Sequence, residues 1–275
     1  MFAKGKKRMS TRFKFGKNWK SFLKYIDEDA IQESKTALKK HLKLDTLEDL
    51  SFLDIGSGSG LSSLAAKQLN ANVHSFDYDK DSVNCTKELK KKYYKDDKNW
   101  TIFEGSILDS NFISSLGKFD IIYSWGVLHH TGNMHLALEN ALIPLTNNGL
   151  LNIAIYNNQG IVSIFWTFIK KRYCSNLLYK AIILSIFIPY FTLITLILGL
   201  LKHKNPFFLF SNYTTRGMNI FIDWIDWLGG YPFETAKASE IINFYTSKGL
   251  TLIHSETTHN KGCSQFTFKK TVSHT

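Results

Sequence analysis

A short apolar strand that runs straight into three alternating glycines constrains this 275-residue chain most: Phe52-Leu-Asp-Ile-Gly-Ser-Gly-Ser-Gly-Leu61. Glycine is required where the backbone turns sharply at positive φ, or where a ligand must lie against bare main chain. Residues 61–69 read as a helix, so Gly56, Gly58 and Gly60 sit at a strand-to-helix turn. A dinucleotide-binding loop has the spacing G-x-G-x-x-G, with its last glycine packing helix against strand. Here Leu61 takes that last place, and the pattern is D-x-G-x-G-x-G starting at Asp54. With no pyrophosphate to cradle, such a loop suits a ligand that joins an amino acid to a nucleoside. Asp54 can then order the loop or meet the ligand's ammonium group.

The segments that follow agree with an open α/β sheet. Residues 72–76 read as a second strand ending in Asp77-Tyr-Asp79, and residues 100–104 as a third. Residues 119–124 read as a fourth strand and 148–156 as a fifth, with helical stretches between them. Strands alternating with such helices give βαβ units and a parallel sheet. A carboxylate at the end of the second strand, Asp77, can accept both hydroxyls of a ribose, and the competing reading is a helix cap or turn residue. Tyr78 can stack on an adenine. Asp79 is expected to cap a helix over 80–92. His129 and His130 follow the fourth strand, where one of them is a candidate general base; packing or a backbone hydrogen bond is the alternative. Tyr156 and Asn157 end the fifth strand on the same sheet edge, where substrate contact competes with plain turn formation.

These motifs resemble those of the class I S-adenosylmethionine (SAM) methyltransferases. The resemblance implies a Rossmann-like seven-stranded sheet of order 3-2-1-4-5-7-6, completed by strands near 250–257 and 263–270 after a helix over 236–248. It implies SAM as cofactor, contacted by Asp54, Gly56, Ser57, Gly58, Gly60, Asp77, Tyr78, Ser106, Ile107, Ser124 and Trp125. Ser106 stands where the family touches the adenine amine, and Ile107 would be the apolar floor. Four longer matches, Phe13-Lys-Phe-Gly-Lys-Asn-Trp19, Ser124 to Met134, Ile153 to Gly160 and Arg216 to Glu234, are similar to bacterial members named after the polyprenyl-hydroxyphenyl methylases. That similarity implies O-methylation and places Trp19, Tyr156 and Asn157 near the substrate. The chain has Asn158 where that family carries aspartate and Ser264-Gln265 where it carries Asn-Glu, so its acceptor can differ.

Charge is unevenly placed. Residues 1–26 hold nine Lys or Arg and no acid, which is +9 of a net +11 and leaves +2 for the rest. Such an arm can be a solvated tail. It can bind anionic lipid, at about 1 kcal/mol per basic residue near the surface, or steer a phosphorylated substrate. Nucleic acid fits less well, because the remaining chain is not basic. Three scattered cysteines, Cys85, Cys174 and Cys263, form no C-x-x-C pair and argue for a reducing, cytoplasmic setting. No apolar stretch follows the basic start, so no cleavable signal peptide is expected. No metal is expected either, since no carboxylate or histidine cluster has ligand spacing.

The remaining anomaly is an apolar run at 177–201, with 20 uncharged residues from Ile182 to Leu201. That is long enough to cross a bilayer. A single crossing would leave the last two strands on the opposite side of the membrane from the first five, and the sheet could not close. The run is therefore expected to return at Pro189, since proline breaks or kinks a helix. Residues 160–212 would form a helical hairpin, either touching an anionic membrane from the inner face or buried as a cap over the site. The expected organisation is a basic arm (1–26), a SAM-binding core (27–159), this hydrophobic insertion (160–212) and a C-terminal part (213–275) that completes the sheet. The expected reaction is methyl transfer from SAM to an oxygen of a small-molecule or lipid-linked acceptor. In-line positioning can supply ~7–11 kcal/mol of such a barrier. RNA methylation and non-catalytic SAM binding are the alternatives.

Overall fold

The computed structural model describes residues 12–23, 26–211, 213 and 220–271. Lys4, Lys6, Lys7, Arg8 and Lys24 of the basic arm, and the segment 214–219, lie outside the described residues. Two helices precede the sheet, α1 (Phe15–Phe22) and α2 (Glu28–Leu42). The Asp27 carboxylate opens α2 by accepting the Ala30 amide at 2.9 Å, and Lys43 at φ 59° ends it. Glu28 and Asp29 in the first turn and Lys39 and Lys40 in the last complement the helix dipole.

The sheet is then built by β1 (Ser51–Ile55), α3 (Leu61–Gln68), β2 (Asn72–Asp77), α4 (Lys80–Tyr93), β3 (Trp100–Glu104) and α5 (Ser110–Ser115). It continues with β4 (Phe119–Trp125), a 3-10 turn (Leu128–His130), α6 (Met134–Asn140) and β5 (Leu145–Tyr156). Next come α7 (Ile161–Tyr173), α8 (Leu177–His203) and α9 (Phe208–Ser211), followed by α10 (Ile220–Gly229), α11 (Ala238–Thr246), β6 (Leu250–Glu256) and β7 (Cys263–Lys270). The seven strands lie in the order β3-β2-β1-β4-β5-β7-β6. The first five are parallel, and β7 enters antiparallel between β5 and β6. This is the expected class I order, with strand bounds within a few residues of those read from sequence.

Strands buried on both faces read as near-continuous apolar runs, and β1 is such a strand. Phe52 joins Leu64, Val73 and Ile121 beneath α2, α3 and α4. On the opposite face Leu53 and Ile55 join Phe76, Ile122 and Phe266 beneath α5, α6 and α11. Each such side chain, fully buried, stabilises by about 1.5–3 kcal/mol. Asp79 caps α4 as expected, accepting the Asp81 amide at 2.9 Å.

The insertion corrects one expectation. A hairpin forms, but its turn falls between α7 and α8 near Asn176, whose side chain caps α8 by accepting the Tyr179 amide at 3.0 Å. Pro189 lies inside an unbroken 27-residue helix. Ile183, Phe187 and Phe191, on both sides of the proline, pack with Tyr173, Trp166 and Leu228 in one cluster. That packing holds the helix through the proline, where only one backbone hydrogen bond is lost. Neither is the run a buried cap, because most of its large apolar side chains are exposed.

Candidate active site

The strand-to-helix turn after β1 is tied down from below. The Gly56 and Ser57 amides donate to the Phe76 carbonyl at 2.8 and 3.0 Å, and the Gly58 amide donates to Asp77 Oδ2 at 3.0 Å. Gly58 needs its missing side chain for two reasons. Its φ is +55°, and a Cβ there would stand 3.0 Å from the Trp19 ring. Trp19 on α1 thus lies directly across the loop, and the Gly16 amide anchors α1 by donating to Asp79 Oδ2 at 3.0 Å.

A cavity of about 1200 Å³ opens along the carboxyl edge of the sheet beneath α1, extending past the ends of β4 and β5 towards α2 and α10. Of the residues expected to hold the cofactor, Asp54, Gly56, Ser57, Gly58, Asp77, Tyr78, Ser106, Ile107 and Trp125 line it. Trp19, His130 and Tyr156 line it as well. Gly60, Ser124, His129 and Asn157 do not. Gly60 begins α3 at φ +85°, its Cα facing Thr86. Ser124 precedes Trp125 on β4, so the two point to opposite faces; Ser124 is wholly buried and donates to the Ile55 carbonyl at 3.1 Å. His129 is also wholly buried, and its Nδ1 accepts the Tyr156 amide at 3.3 Å. Asn157 is engaged through its backbone, its amide donating to the Gly262 carbonyl at 3.0 Å.

Two carboxylates face the cavity, Asp54 buried and Asp77 partly buried. Asp54 accepts Ser63 Oγ at 2.6 Å, Ser63 Oγ lies 2.7 Å from Ser75 Oγ, and Ser75 accepts the Trp100 indole N–H at 2.9 Å. Burial pushes the Asp54 carboxyl up to about 7, and the neighbouring Asp77 charge adds to the shift. Asp77 accepts the Asp79 amide at 2.8 Å on its other oxygen, and burial holds it at about 6 against those amide bonds. A ligand that brings an ammonium group to Asp54 and hydroxyl donors to Asp77 would supply the partners that favour their ionised forms. An amino acid linked to a ribose has those groups, so the site fits SAM. Tyr78 carries the Arg12 guanidinium 4.8 Å from its ring centroid.

Beyond the glycine loop the cavity becomes aromatic. His130 Nδ1 lies 2.6 Å from the Pro232 carbonyl. A carbonyl only accepts, so Nδ1 carries the hydrogen and Nε2 is the basic nitrogen of the neutral ring. Phe15 packs 4.9 Å from the His130 ring and Tyr156 at 5.6 Å, with Phe233 5.1 Å from Tyr156. Trp227 lies between two lysines, with Lys261 Nζ 4.0 Å and Lys170 Nζ 4.1 Å from its ring. Burial pushes Lys170 down to about 7, and the charge of Lys261 adds to that.

Sequence reasoning missed Arg12, His41, Asp226, Lys261 and Gln265, all on the cavity wall. Gln265 donates to His41 Nδ1 at 2.8 Å and to Asn152 Oδ1 at 3.1 Å, and its Oε1 accepts the Trp125 indole N–H at 3.3 Å. The departure Ser264-Gln265 was the available signal. His41, His254 and Glu256 also bring one potential ligand atom each to within 4.8 Å of one another, a grouping that linear spacing did not show. Lys40 pairs with Glu256 at 2.5 Å and, with His41, holds the carboxyl down at about 2. That pairing accounts for the cluster as a salt-bridge knot.

Comparisons with known proteins agree with this geometry. Residues 53–151 match the family model of a methyltransferase domain. Over 135 residues the chain is 25% identical to the ubiquinone biosynthesis O-methyltransferase of Pelagibacter ubique (strain HTCC1062), a match covering 49% of this chain and 52% of that protein. The chain thus spans about half the length of that relative. The magnesium protoporphyrin IX methyltransferase of Synechocystis PCC 6803, solved with bound SAM, superposes with a TM-score of 0.56 at 11% identity, covering 98% of this chain and 100% of that one. An O-methyltransferase family protein from Burkholderia thailandensis gives 0.54 at 9% identity, over 88% of this chain and 57% of its own. At those identities the likeness is one of fold. Fold, loop and domain match together give the chain a class I methyltransferase fold with a methyltransferase-domain match over residues 53–151.

Proposed function

We propose that the chain transfers the SAM methyl group to an oxygen of a small, largely apolar acceptor, with His130 as general base. In this reading the SAM amino-acid end lies by Asp54 and the glycine loop, the ribose on Asp77, and the adenine against Ser106 and Ile107. The observation that carries the base assignment is the short His130 Nδ1 contact to the Pro232 carbonyl, which leaves Nε2 as the proton acceptor on an aromatic-lined wall. His129 then acts on the site as a support, its Nδ1 accepting the Tyr156 amide and its ring packed 4.3 Å from the Tyr156 ring and 4.5 Å from the His130 ring. The name of the Pelagibacter relative supports oxygen as the acceptor atom. Phe15, Tyr156 and Trp227 on the wall support an apolar or aromatic acceptor. A polyanion such as RNA would meet Glu33, Asp223 and Asp226 there. None of the three cysteines is in a disulfide, in keeping with action in the cytoplasm.

The test is acceptor-dependent formation of S-adenosylhomocysteine across a panel of phenols with apolar tails of increasing length. His130→Ala should lower turnover by ~10²–10⁴-fold and leave SAM affinity, measured by calorimetry, unchanged. Full turnover in His130→Ala would remove the residue from the chemistry. Methylation of amines but not phenols would overturn the oxygen reading.

A further inference from the structure

We infer that the helix pair α7–α8 is a membrane-docking platform, with α8 lying in the plane of an anionic bilayer and its outer face sunk into the interface. This goes beyond the methyl-transfer reading and does not depend on it. α8 has 27 residues, about 40 Å at helical rise, and no charged side chain between Lys180 and Lys202. One stripe of it packs on the protein through Ile183, Phe187 and Phe191. The opposite stripe, Ile182, Ile186, Tyr190, Leu193, Ile197 and Leu201, recurs every three or four residues and stands exposed. A helix facing water places polar residues on that side. Exposed Phe165 and Phe168 of α7 enlarge the apolar surface, well beyond the scattered apolar residues a water-facing surface tolerates.

Topology and charge together select the partner. β5 precedes the insertion and β6 and β7 follow it, yet all three are hydrogen-bonded in one sheet. α8 therefore cannot cross the bilayer, and a helix this apolar that does not cross lies along it. Exposed Lys171, Arg172 and Lys180 stand near one end of the pair and Lys202 and Lys204 at the other. No Asp or Glu occurs anywhere in residues 140–222. Cations at both ends of an apolar face fit anionic headgroups along its length. A second copy docked on the same face would instead oppose the same cations to each other. Beneath the platform, α10 places Trp224 5.5 Å from Phe191 and Trp227 on the cavity wall, which sets the cavity beside the membrane surface.

The experiment is co-sedimentation of the full chain with vesicles of phosphatidylcholine plus phosphatidylglycerol, and of phosphatidylcholine alone. No SAM is needed, so the result is independent of the catalytic reading. The expected outcome is binding that is stronger on the anionic vesicles and partly survives high salt, because the apolar face stays inserted. Ile186→Glu with Leu193→Glu, both more than half exposed, should weaken binding at least about tenfold while the thermal melting curve is retained. Three results would overturn the proposal. The parent protein stays in the supernatant, the double variant sediments as the parent does, or high salt releases the parent completely. If the parent is instead a dimer in vesicle-free buffer and the double variant a monomer, a second copy covers this face and the proposal is likewise lost.

Discussion

At the scale of single residues, the carboxylates of Asp54 and Asp77 give the sharpest expectations. If Asp77 binds the ribose, Asp77→Ala should weaken SAM by about 1.5–3 kcal/mol, read by calorimetric titration. Equal affinities would take Asp77 out of the binding site. Asp54 makes a prediction about pH. Its folded carboxyl titrates near 7, far above the ordinary carboxylate range near 4. Below both values the proton is bound in folded and unfolded chains alike, and the group is neutral to stability. As pH rises from about 4 to about 7 the unfolded chain releases it first, so the ligand-free protein should lose stability over that window. SAM, by placing its ammonium group against the ionised carboxylate, should bind more tightly as pH rises through 7. Melting curves with and without SAM at pH 5 and pH 8 check both signs, and Asp54→Asn should flatten them. Much of this was legible in the sequence, because Gly58 after β1 and the pair Asp77 and Asp79 after β2 each mark a strand-to-helix turn set by its own few residues. The Gln265–His41 contact was not, because it joins positions 224 apart in the chain. Nor did the sequence reveal which of two adjacent histidines faces the cavity, since that turns on the short 3-10 turn at Leu128–His130 and a distant carbonyl at Pro232.

At the scale of elements, the hydrophobic insertion was legible as an anomaly but not as a shape. Proline at position 189 suggested the bend, yet packing on both of its sides outweighed one missing hydrogen bond. The consequence is testable. Phe187 and Phe191 would be membrane-facing tip residues in a hairpin folded at the proline. Here they face inward, 5.5 Å from Trp166 and Trp224 respectively. Phe187→Asp with Phe191→Asp should therefore lower the melting temperature, because charges would enter a partly buried apolar cluster without partners. The outward pair Ile186→Glu with Leu193→Glu should not. If the inward pair melts like the parent, the packing described for α8 is wrong. Strand boundaries were easier to read, because apolar runs flanked by Gly, Asn and Asp are a local signal.

At the scale of the whole molecule, the basic arm and the helix pair both carry positive charge, and their roles can be separated. Deleting residues 1–11 removes Lys4, Lys6, Lys7 and Arg8, taking the net charge from +11 to +7. Vesicle binding by that variant should be weaker and less sensitive to salt than in the full chain, while SAM affinity stays the same, because Arg12 and Trp19 remain. Unchanged salt sensitivity would exclude the arm from the contact. The position of β7 has a further consequence, for the order in which the protein can be made. The strand that joins β6 to the rest of the sheet is the last of these seven in chain order, at Cys263–Lys270, some sixty residues after the end of α8. During that interval a nascent chain presents a long greasy helix while nothing yet holds its downstream half on the near side of a membrane. Insertion machinery that captured the helix as a span would strand the final two strands beyond reach of their partners. Correct topology is therefore a race, and it is won only when β7 pairs between β5 and β6.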